Sequence, residues 1–166
     1  MMAINLDLSM LEITGNIFDQ NSWSRKPITP EISLCVTTNG VIKANGQAVM
    51  GAGIAKAFTL IYPQLPTILG QKLACCGNRI HYLLIVNNTT HILSFPTKHH
   101  WRDSSDLSLI LNSAKTLAEI ADLKLYCTFV VTRPGCGLGG LSWLVIKDAI
   151  SPILPNNCWV INKDAF

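Results

Sequence analysis

The chain has 166 residues, of which 49% are hydrophobic and 14% charged, and its formal net charge is +3. This length fits one domain over residues 1–166, and the composition excludes a disordered tail and supplies a sizeable core. The mild positive charge is compatible with an anionic ligand, but it does not by itself indicate a nucleic-acid partner.

The first residues and the cysteines both bear on where in the cell the protein works. The first residues carry Asp7 and no positive charge, unlike a secretory signal, and no apolar run reaches the roughly 18 residues of a membrane helix. We therefore predict a cytoplasmic protein with no membrane partner. Most of the six cysteines should be reduced core residues. Cys75, Cys76 and His81 lack a second ligand pair, so we predict no metal site.

Short apolar runs alternate with longer helical patterns along the chain. We predict strands at residues 4–8, 10–14, 32–37, 79–86, 91–94, 125–131 and 159–162. We predict helices at residues 53–60, 66–75, 105–121 and 141–154. The alternation predicts an α/β fold, a three-layer α/β/α sandwich with a mixed, mostly parallel central sheet.

The third predicted helix has the clearest pattern. Its apolar residues recur every three to four positions and form one buried face, made of Leu107, Ile110, Leu111, Ala114, Leu117, Ala118 and Ala121. Ser104 or Ser105 is the expected N-cap, because a serine hydroxyl accepts a hydrogen bond from the first helical turn.

The first glycine loop, residues 39–55, follows a predicted strand and reads NGVIKANGQAVMGAGIA. Asn39 and Asn45 could hydrogen-bond a sugar, although each precedes a glycine and also fits ordinary turn chemistry. Gly51 and Gly53 could let backbone amides at a helix N-terminus face a phosphate, and a tight turn before a packed helix is the structural alternative.

The second glycine loop, residues 132–143, reads TRPGCGLGGLSW and also follows a strand. Gly135, Gly137 and Gly140 formally match G-x-G-x-x-G, but the acidic residue of a dinucleotide fold is missing about 20 positions later. Four glycines in six residues instead favour an oxyanion cradle over a purely structural turn.

The cationic loop, residues 97–106, reads TKHHWRDSSD and follows a third strand. Ligands bind at the carboxyl ends of parallel strands, so the three loops should meet at one edge of the sheet. Lys98, His99, His100 and Arg102 would then stand beside a pyrophosphate or act in acid–base or nucleophilic chemistry. A solvated loop capping the next helix is the structural alternative, with Asp103 suited to the positive helix end.

Together, TGNIF (residues 14–18), the first glycine loop, FPTKHHW (95–101) and RPGCGLGGLSW (133–143) resemble a macro domain over nearly the whole chain. The motifs are similar to the branch of DNA ADP-ribosyl glycohydrolase antitoxins and terminal ADP-ribose protein glycohydrolases. The resemblance implies the macro domain fold, with ADP-ribose in a cleft at the carboxyl ends of the strands. It implies no cofactor.

The resemblance also assigns ligand-binding positions. Asn16 and Ile17 would lie at the adenine, where Asn16 replaces the usual aspartate, and Asn39 and Asn45 would lie near the distal ribose. The diphosphate would lie between two backbone walls, formed by Gly51, Ala52, Gly53 and Ile54 on one side and by Gly135, Cys136, Gly137, Leu138, Gly139 and Gly140 on the other.

For chemistry, Lys98 matches the lysine after FPT of the DNA-directed relatives. It would attack the anomeric carbon or stabilise charge there, and His99 and His100 are secondary candidates. The protein-directed relatives use an aspartate where this chain has Gly139, which weighs against a lysine–aspartate mechanism.

These assignments imply hydrolysis of the glycosidic bond at the distal ribose of an ADP-ribosylated macromolecule, with DNA slightly favoured over protein. The alternatives are an ADP-ribose 1″-phosphate phosphatase and a non-catalytic ADP-ribose reader. The resemblance further suggests a monomer and an ADP-ribosyltransferase as partner.

Overall fold

A computed structural model describes residues 8–163 of the chain. Within these residues, the strands are β1 (Leu11–Thr14), β2 (Glu31–Thr38), β3 (Tyr82–Val86), β4 (Thr90–Pro96), β5 (Cys127–Thr132) and β6 (Cys158–Asn162). The α-helices are α1 (Gly53–Ile61), α2 (Leu65–Cys76), α3 (Leu107–Leu123) and α4 (Trp143–Ile150), and a 3₁₀-helix covers Gln20–Ser22.

The six strands form one sheet in the order β1-β6-β5-β2-β4-β3. All neighbouring strands are parallel except β3 and β4, which are antiparallel. The carboxyl ends of β1, β6, β5, β2 and β4 therefore lie at the same edge, in that order.

Helices cover both faces of the sheet because the central strands are apolar on both sides. Leu34 and Val36 of β2 pack with Phe58 and the other buried residues of α1 and α2. Cys35, which points to the opposite face, packs with Ile110 and the buried residues of α3 and α4. The resulting α/β/α sandwich confirms the predicted fold class.

Six of the seven predicted strands and all four predicted helices correspond to elements of the structure. The predicted strand at 4–8 lies outside the described residues except for Leu8, which is not in a strand. The predicted helix at 141–154 is too long, because α4 ends at Ile150 and Pro152 follows. A proline inside a helix removes a backbone donor and clashes with the preceding turn.

The predicted N-cap of α3 is wrong. Asp106, not Ser104 or Ser105, has the extended backbone of a cap, and its side chain accepts a hydrogen bond from the Ser108 amide at 2.9 Å. Ser105 is buried instead. The predicted apolar face is confirmed for its central positions, while Leu107 at the first turn is 37% exposed.

The cysteines follow the prediction with one exception. Cys35, Cys127 and Cys158 are free and buried, Cys136 is free and half-buried, and burial raises the pKa of all four thiols. Cys75 and Cys76 are exposed and joined by a disulfide. Within residues 8–163, no group of three or more His, Cys, Asp or Glu side chains is placed to hold a metal ion. No helix in the same range is both long and apolar enough to cross a membrane.

Candidate functional site

A cleft of about 1210 Å³ opens at the carboxyl ends of β2, β4, β5 and β6. Its walls are parts of the two glycine loops and the cationic loop, together with the ends of the strands that precede them. Because parallel strands deliver their following loops to one edge, three segments that are far apart in the sequence meet there.

The first glycine loop is held by Asn39 and ends in free helical amides. The Asn39 side chain donates to the Val49 carbonyl at 3.0 Å and accepts from the Val41 amide at 3.0 Å. Helix α1 begins at Gly53, and its N-cap Ala52 offers no side-chain acceptor to the first turn. The first amides of α1 are therefore available to an anionic ligand in the cleft.

The glycines of the second glycine loop have two different roles. A side chain at Gly139 would overlap the Ser105 hydroxyl and lie 2.5 Å from the Gly135 carbonyl oxygen, so Gly139 is a packing position. Gly135 has a φ of +77° and packs closely against Ile110. At Gly137, by contrast, a Cβ would meet no atom within 4 Å. Gly137 therefore leaves open space in the cleft wall.

Close packing surrounds Gly139, the position at which the resemblance leads us to expect an aspartate in protein-directed relatives. The Ser105 amide donates to the Gly139 carbonyl at 3.0 Å, and the Leu141 amide donates to the Gly135 carbonyl at 2.9 Å. The first bond ties the second glycine loop to the cationic loop and the second closes a turn within the glycine loop, so a carboxylate at Gly139 would overlap its neighbours.

The two glycine loops approach each other at Gly53 and Leu138. A Cβ at Gly53 would lie 3.4 Å from the Leu138 Cδ1 atom, and Gly53 has a φ of +57°. The backbone segments that the resemblance assigns to the two sides of a diphosphate thus lie on facing sides of one cleft.

Lys98 extends from the cationic loop to the second glycine loop. Its backbone amide donates to the Thr38 carbonyl, and its carbonyl accepts from the Asn78 side chain at 3.0 Å. Its Nζ atom lies 3.5 Å from the carbonyl oxygens of both Trp101 and Leu138. The amine of Lys98 is therefore in the cleft where the cationic loop and the second glycine loop meet.

The two histidines of the cationic loop do not line the cleft. The His99 ring lies 2.8 Å from Asp106, and this hydrogen bond, with that from the Ser108 amide, lowers the pKa of the Asp106 carboxyl. The His100 ring accepts a hydrogen bond from the Arg102 amide at 3.1 Å. Of the four cationic residues expected at the ligand, Lys98 and Arg102 are at the cleft.

Three of the residues assigned to the ligand also lie outside the cleft lining. Asn16 follows β1 at the same edge, and its side chain accepts from the Phe18 amide at 3.0 Å. Ile17 is buried in the core at 4% exposure. Asn45 accepts from the Gln47 amide within a local turn, as expected from its turn chemistry. The other assigned positions line the cleft, namely Asn39, Gly51, Ala52, Gly53, Ile54, Gly135, Cys136, Gly137, Leu138, Gly139 and Gly140.

Two buried hydroxyls in the cleft lining were missed by sequence reasoning. Thr38 and Ser105 are 6% and 7% exposed, and within residues 8–163 neither hydroxyl oxygen has a hydrogen-bond partner. Buried polar atoms are normally hydrogen-bonded. These two unpartnered hydroxyls therefore mark places where a ligand or water can bind. Thr38 could have been predicted from the sequence, because it lies at the carboxyl end of the strand β2.

The end of the cleft at β6 is formed by residues that no motif singled out. Asn162 ends β6 and Lys163 follows it, and the Arg133 guanidinium lies 5.0 Å from the centre of the Trp143 ring. The Trp143 indole, at the start of α4, donates to the Glu12 side chain of β1 at 2.9 Å, which links α4 to β1.

The cleft lining has a positive balance. Among the described residues it contains four basic side chains, Lys98, Arg102, Arg133 and Lys163, and one acidic side chain, Asp103. Within the same part of the chain, neither Lys98 nor Arg102 has a carboxylate at ion-pair distance. This local charge fits an anionic ligand, although the net charge of the whole chain is small.

Comparisons with known proteins agree with this geometry. No family model matches the chain. A DNA ADP-ribosyl transferase–DNA ADP-ribosyl glycohydrolase fusion protein of Thermosipho africanus is 34% identical over 127 residues, which cover 63% of this chain and 32% of that protein. A DNA ADP-ribosyl glycohydrolase of Mycobacterium tuberculosis is 32% identical over 111 residues, which cover 64% of this chain and 32% of that protein. The match thus spans about a third of the length of these curated relatives.

Solved structures give the fold. The macrodomain of Thermus aquaticus DarG superposes with a TM-score of 0.68 at 24% identity, over 92% of this chain and 97% of that one. Thermosipho africanus DarTG in complex with ADP-ribose superposes with a TM-score of 0.62 at 23% identity, over 78% of this chain and 38% of that one. The chain therefore has the macrodomain fold.

Proposed function

We propose that the chain binds ADP-ribose and hydrolyses the glycosidic bond that joins the distal ribose to ADP-ribosylated DNA. The observation that carries the proposal is the position of the Lys98 amine, 3.5 Å from the Leu138 carbonyl oxygen in the second glycine loop. A lysine in this position stands at one end of a cleft whose middle is built from glycine backbone.

The order of the loops along the sheet edge supports ADP-ribose as the ligand. Asn162 ends β6, the second glycine loop continues from the end of β5, the first glycine loop follows β2 and Lys98 follows β4. These strands are consecutive in the sheet. An elongated ligand would place its adenosine near β6, its diphosphate between the glycine loops and its distal ribose near Lys98. Backbone amides at a helix N-terminus bind phosphates in this way.

DNA is the proposed substrate because two similar proteins are named DNA ADP-ribosyl glycohydrolases. Lys98 would act in one of two ways. A neutral amine would attack the anomeric carbon and displace the base, which takes up a proton, and water would then hydrolyse the lysine adduct and release ADP-ribose. An ammonium would instead stabilise charge that develops as water displaces the base. The phosphatase alternative is weaker, because neither His99 nor His100 lines the cleft.

The test has two arms. Calorimetry with free ADP-ribose measures binding, and release of ADP-ribose from an ADP-ribosylated oligonucleotide measures hydrolysis. Binding without release from DNA, protein or a 1″-phosphate would identify a reader, and absence of binding would refute the proposal. Addition of borohydride during turnover would trap a Lys98 adduct if the amine is the nucleophile and would trap none if it acts through its charge.

Several finer points belong to the same proposal. The fusion relative joins a transferase to a glycohydrolase, which supports an ADP-ribosyltransferase as the partner of this chain. The monomeric state, the cytoplasmic location and the single domain over residues 1–166 stay predictions. Size-exclusion chromatography with light scattering measures the first of these directly.

A further inference from the structure

An exposed aromatic and cationic cluster lies at the rim of the cleft. It consists of His100, Trp101 and Arg102, which we call the rim cluster. Trp101 is 44% exposed, the Arg102 guanidinium carbon lies 4.6 Å from the Trp101 ring centre, and the His100 ring stacks on Trp101 at 5.4 Å with an interplanar angle of 26°. Trp101 and Arg102 both border the cleft.

Trp101 differs from the other three tryptophans of the chain. The indole N–H groups of Trp23, Trp143 and Trp159 each donate a hydrogen bond to the protein. No such bond from Trp101 is present within residues 8–163, and its ring belongs to neither hydrophobic core cluster. Within the described residues, Trp101 thus has neither an indole hydrogen bond nor a place in the hydrophobic core, and its ring contacts there are with His100 and Arg102.

The rim cluster is at the end of the cleft where the proposed reaction takes place. The Lys98 Nζ atom lies 3.5 Å from the Trp101 carbonyl oxygen. If the distal ribose lies at Lys98, the group attached to its anomeric carbon leaves the cleft beside the rim cluster. This inference thus rests on the proposed function for the direction in which the substrate extends.

The charge of the rim cluster favours a polyanion. Within the described residues, Arg102 has no carboxylate at ion-pair distance, and Asp106 is engaged by His99 and by the first turn of α3. Asp103 is the remaining acidic residue of the cationic loop. An exposed indole ring next to an unpaired guanidinium combines the two contacts that single-stranded nucleic acids use, base stacking and phosphate binding.

We propose that Trp101 and Arg102 bind the nucleotide adjacent to the ADP-ribosylated nucleotide in a single strand of DNA. The neighbouring base stacks on the exposed aromatic surface that Trp101 and His100 form together, and its phosphate contacts Arg102. A base whose ADP-ribose occupies the cleft is drawn out of any base stack, so its neighbours are left with open faces. The rim cluster would thereby distinguish a modified strand from an isolated modified nucleoside.

The experiment compares two substrates that differ only in their flanking nucleotides. One is a nucleoside that carries ADP-ribose, and the other is a short single-stranded oligonucleotide with the same modified nucleoside at its centre. The variants are Trp101→Ala and Arg102→Ala. Tyr126→Ala removes an aromatic ring of similar exposure (48%) that does not border the cleft, and Lys115→Ala removes an exposed charge on α3.

We expect each rim variant to raise the KM for the oligonucleotide about 10-fold more than the KM for the nucleoside. Arg102→Ala should also weaken the salt dependence of the oligonucleotide KM, because one phosphate contact is lost. Tyr126→Ala and Lys115→Ala should leave the ratio of the two KM values unchanged. Equal changes of KM for both substrates would overturn the proposal.

A second measurement does not depend on catalysis. Fluorescence anisotropy with the unmodified oligonucleotide should show weaker binding by both rim variants than by the wild type and the two controls. If the wild type hydrolyses neither substrate, the proposed function fails, and this measurement alone decides the rim cluster. Equal affinity of the wild type and the rim variants would then refute it.

Discussion

Lys98 and Leu138 are 40 residues apart in the sequence, yet the Lys98 Nζ atom lies 3.5 Å from the Leu138 carbonyl oxygen. This contact connects the cationic loop to the second glycine loop. The contact forms because β4 and β5 both pair with β2 in parallel, so the loops that follow these two strands lie at the same edge of the sheet. An amine is thereby placed at one end of the cleft, beside the backbone of the second glycine loop.

The first prediction concerns Lys98. Lys98→Ala should lower the rate of ADP-ribose release from modified DNA by about 100-fold or more, as expected for loss of a group that acts in the transition state. The affinity for free ADP-ribose, measured by calorimetry, should change much less. Lys98→Arg keeps the charge but not the nucleophile, so activity in this variant would favour charge stabilisation. Undiminished release by Lys98→Ala would refute a role for Lys98.

The second prediction separates the glycines that face the ligand from those that shape the backbone. Gly137→Val should weaken ADP-ribose binding at an unchanged melting temperature, because its Cβ meets no protein atom within 4 Å. Gly53→Val should weaken binding and also lower the melting temperature, since Gly53 has a φ of +57° that side chains rarely adopt. Calorimetry and thermal melts measure both quantities. Normal affinity in Gly137→Val would remove the second glycine loop from the binding site.

The third prediction uses Cys136 as a reporter of the cleft. Burial raises the pKa of its thiol, with Arg133 opposing the shift, so the thiolate fraction at neutral pH is small. Iodoacetamide should therefore label Cys136 slowly, and faster as the pH rises above the usual thiol range. ADP-ribose should protect Cys136, and buried Cys158 should stay unlabelled with or without ligand. Peptide mass spectrometry measures both sites, and equal labelling of Cys136 with and without ADP-ribose would contradict the proposed cleft.

Periodicity predicts the fold of this chain well because local patterns determine its main elements. The apolar segment of β2 predicts a strand buried on both faces, and the spacing of Ile110, Ala114 and Leu117 predicts the buried side of α3. The element ends were harder to predict. Ser105 and Asp106 are both good N-cap residues by type, and only the burial of Ser105 under the second glycine loop decides for Asp106.

The site could be predicted only in part for a similar reason. Asn39 and Asn45 both precede glycine, but Asn39 lines the cleft and Asn45 lies in a turn outside it. Gly137 and Gly139 are equally suited to a phosphate loop by sequence, although a side chain fits only at Gly137. These differences depend on tertiary contacts between distant segments, which no local pattern contains.

The fourth prediction concerns the pH dependence of stability at Asp106. The folded state holds the pKa of this carboxyl below its usual value, mainly through His99 and then through the Ser108 amide. Its stabilising contribution is therefore complete above the unfolded pKa of about 3.9 and is lost as the pH falls through the lower folded pKa.

At pH 7, Asp106→Ala should lower the melting temperature by about 2–4 °C. Asp106→Asn should have a smaller effect, since asparagine is also a good N-cap but carries no charge for His99. The difference between the wild type and Asp106→Asn should shrink as the pH falls below 4, where the wild-type carboxyl becomes protonated. Thermal melts across this range test the sign, and a difference that grows towards low pH would contradict it.

The fifth prediction tests whether packing restricts the residue at position 139. Gly139→Asp should destabilise the protein by about 1–3 kcal/mol, because the new side chain overlaps the Ser105 hydroxyl and crowds the Gly135 carbonyl. The double variant Ser105→Gly with Gly139→Asp should recover part of this loss, since one of the two clashes is removed. Urea unfolding of the single and double variants measures the coupling. Strictly additive effects would show that Ser105 does not restrict the residue at position 139.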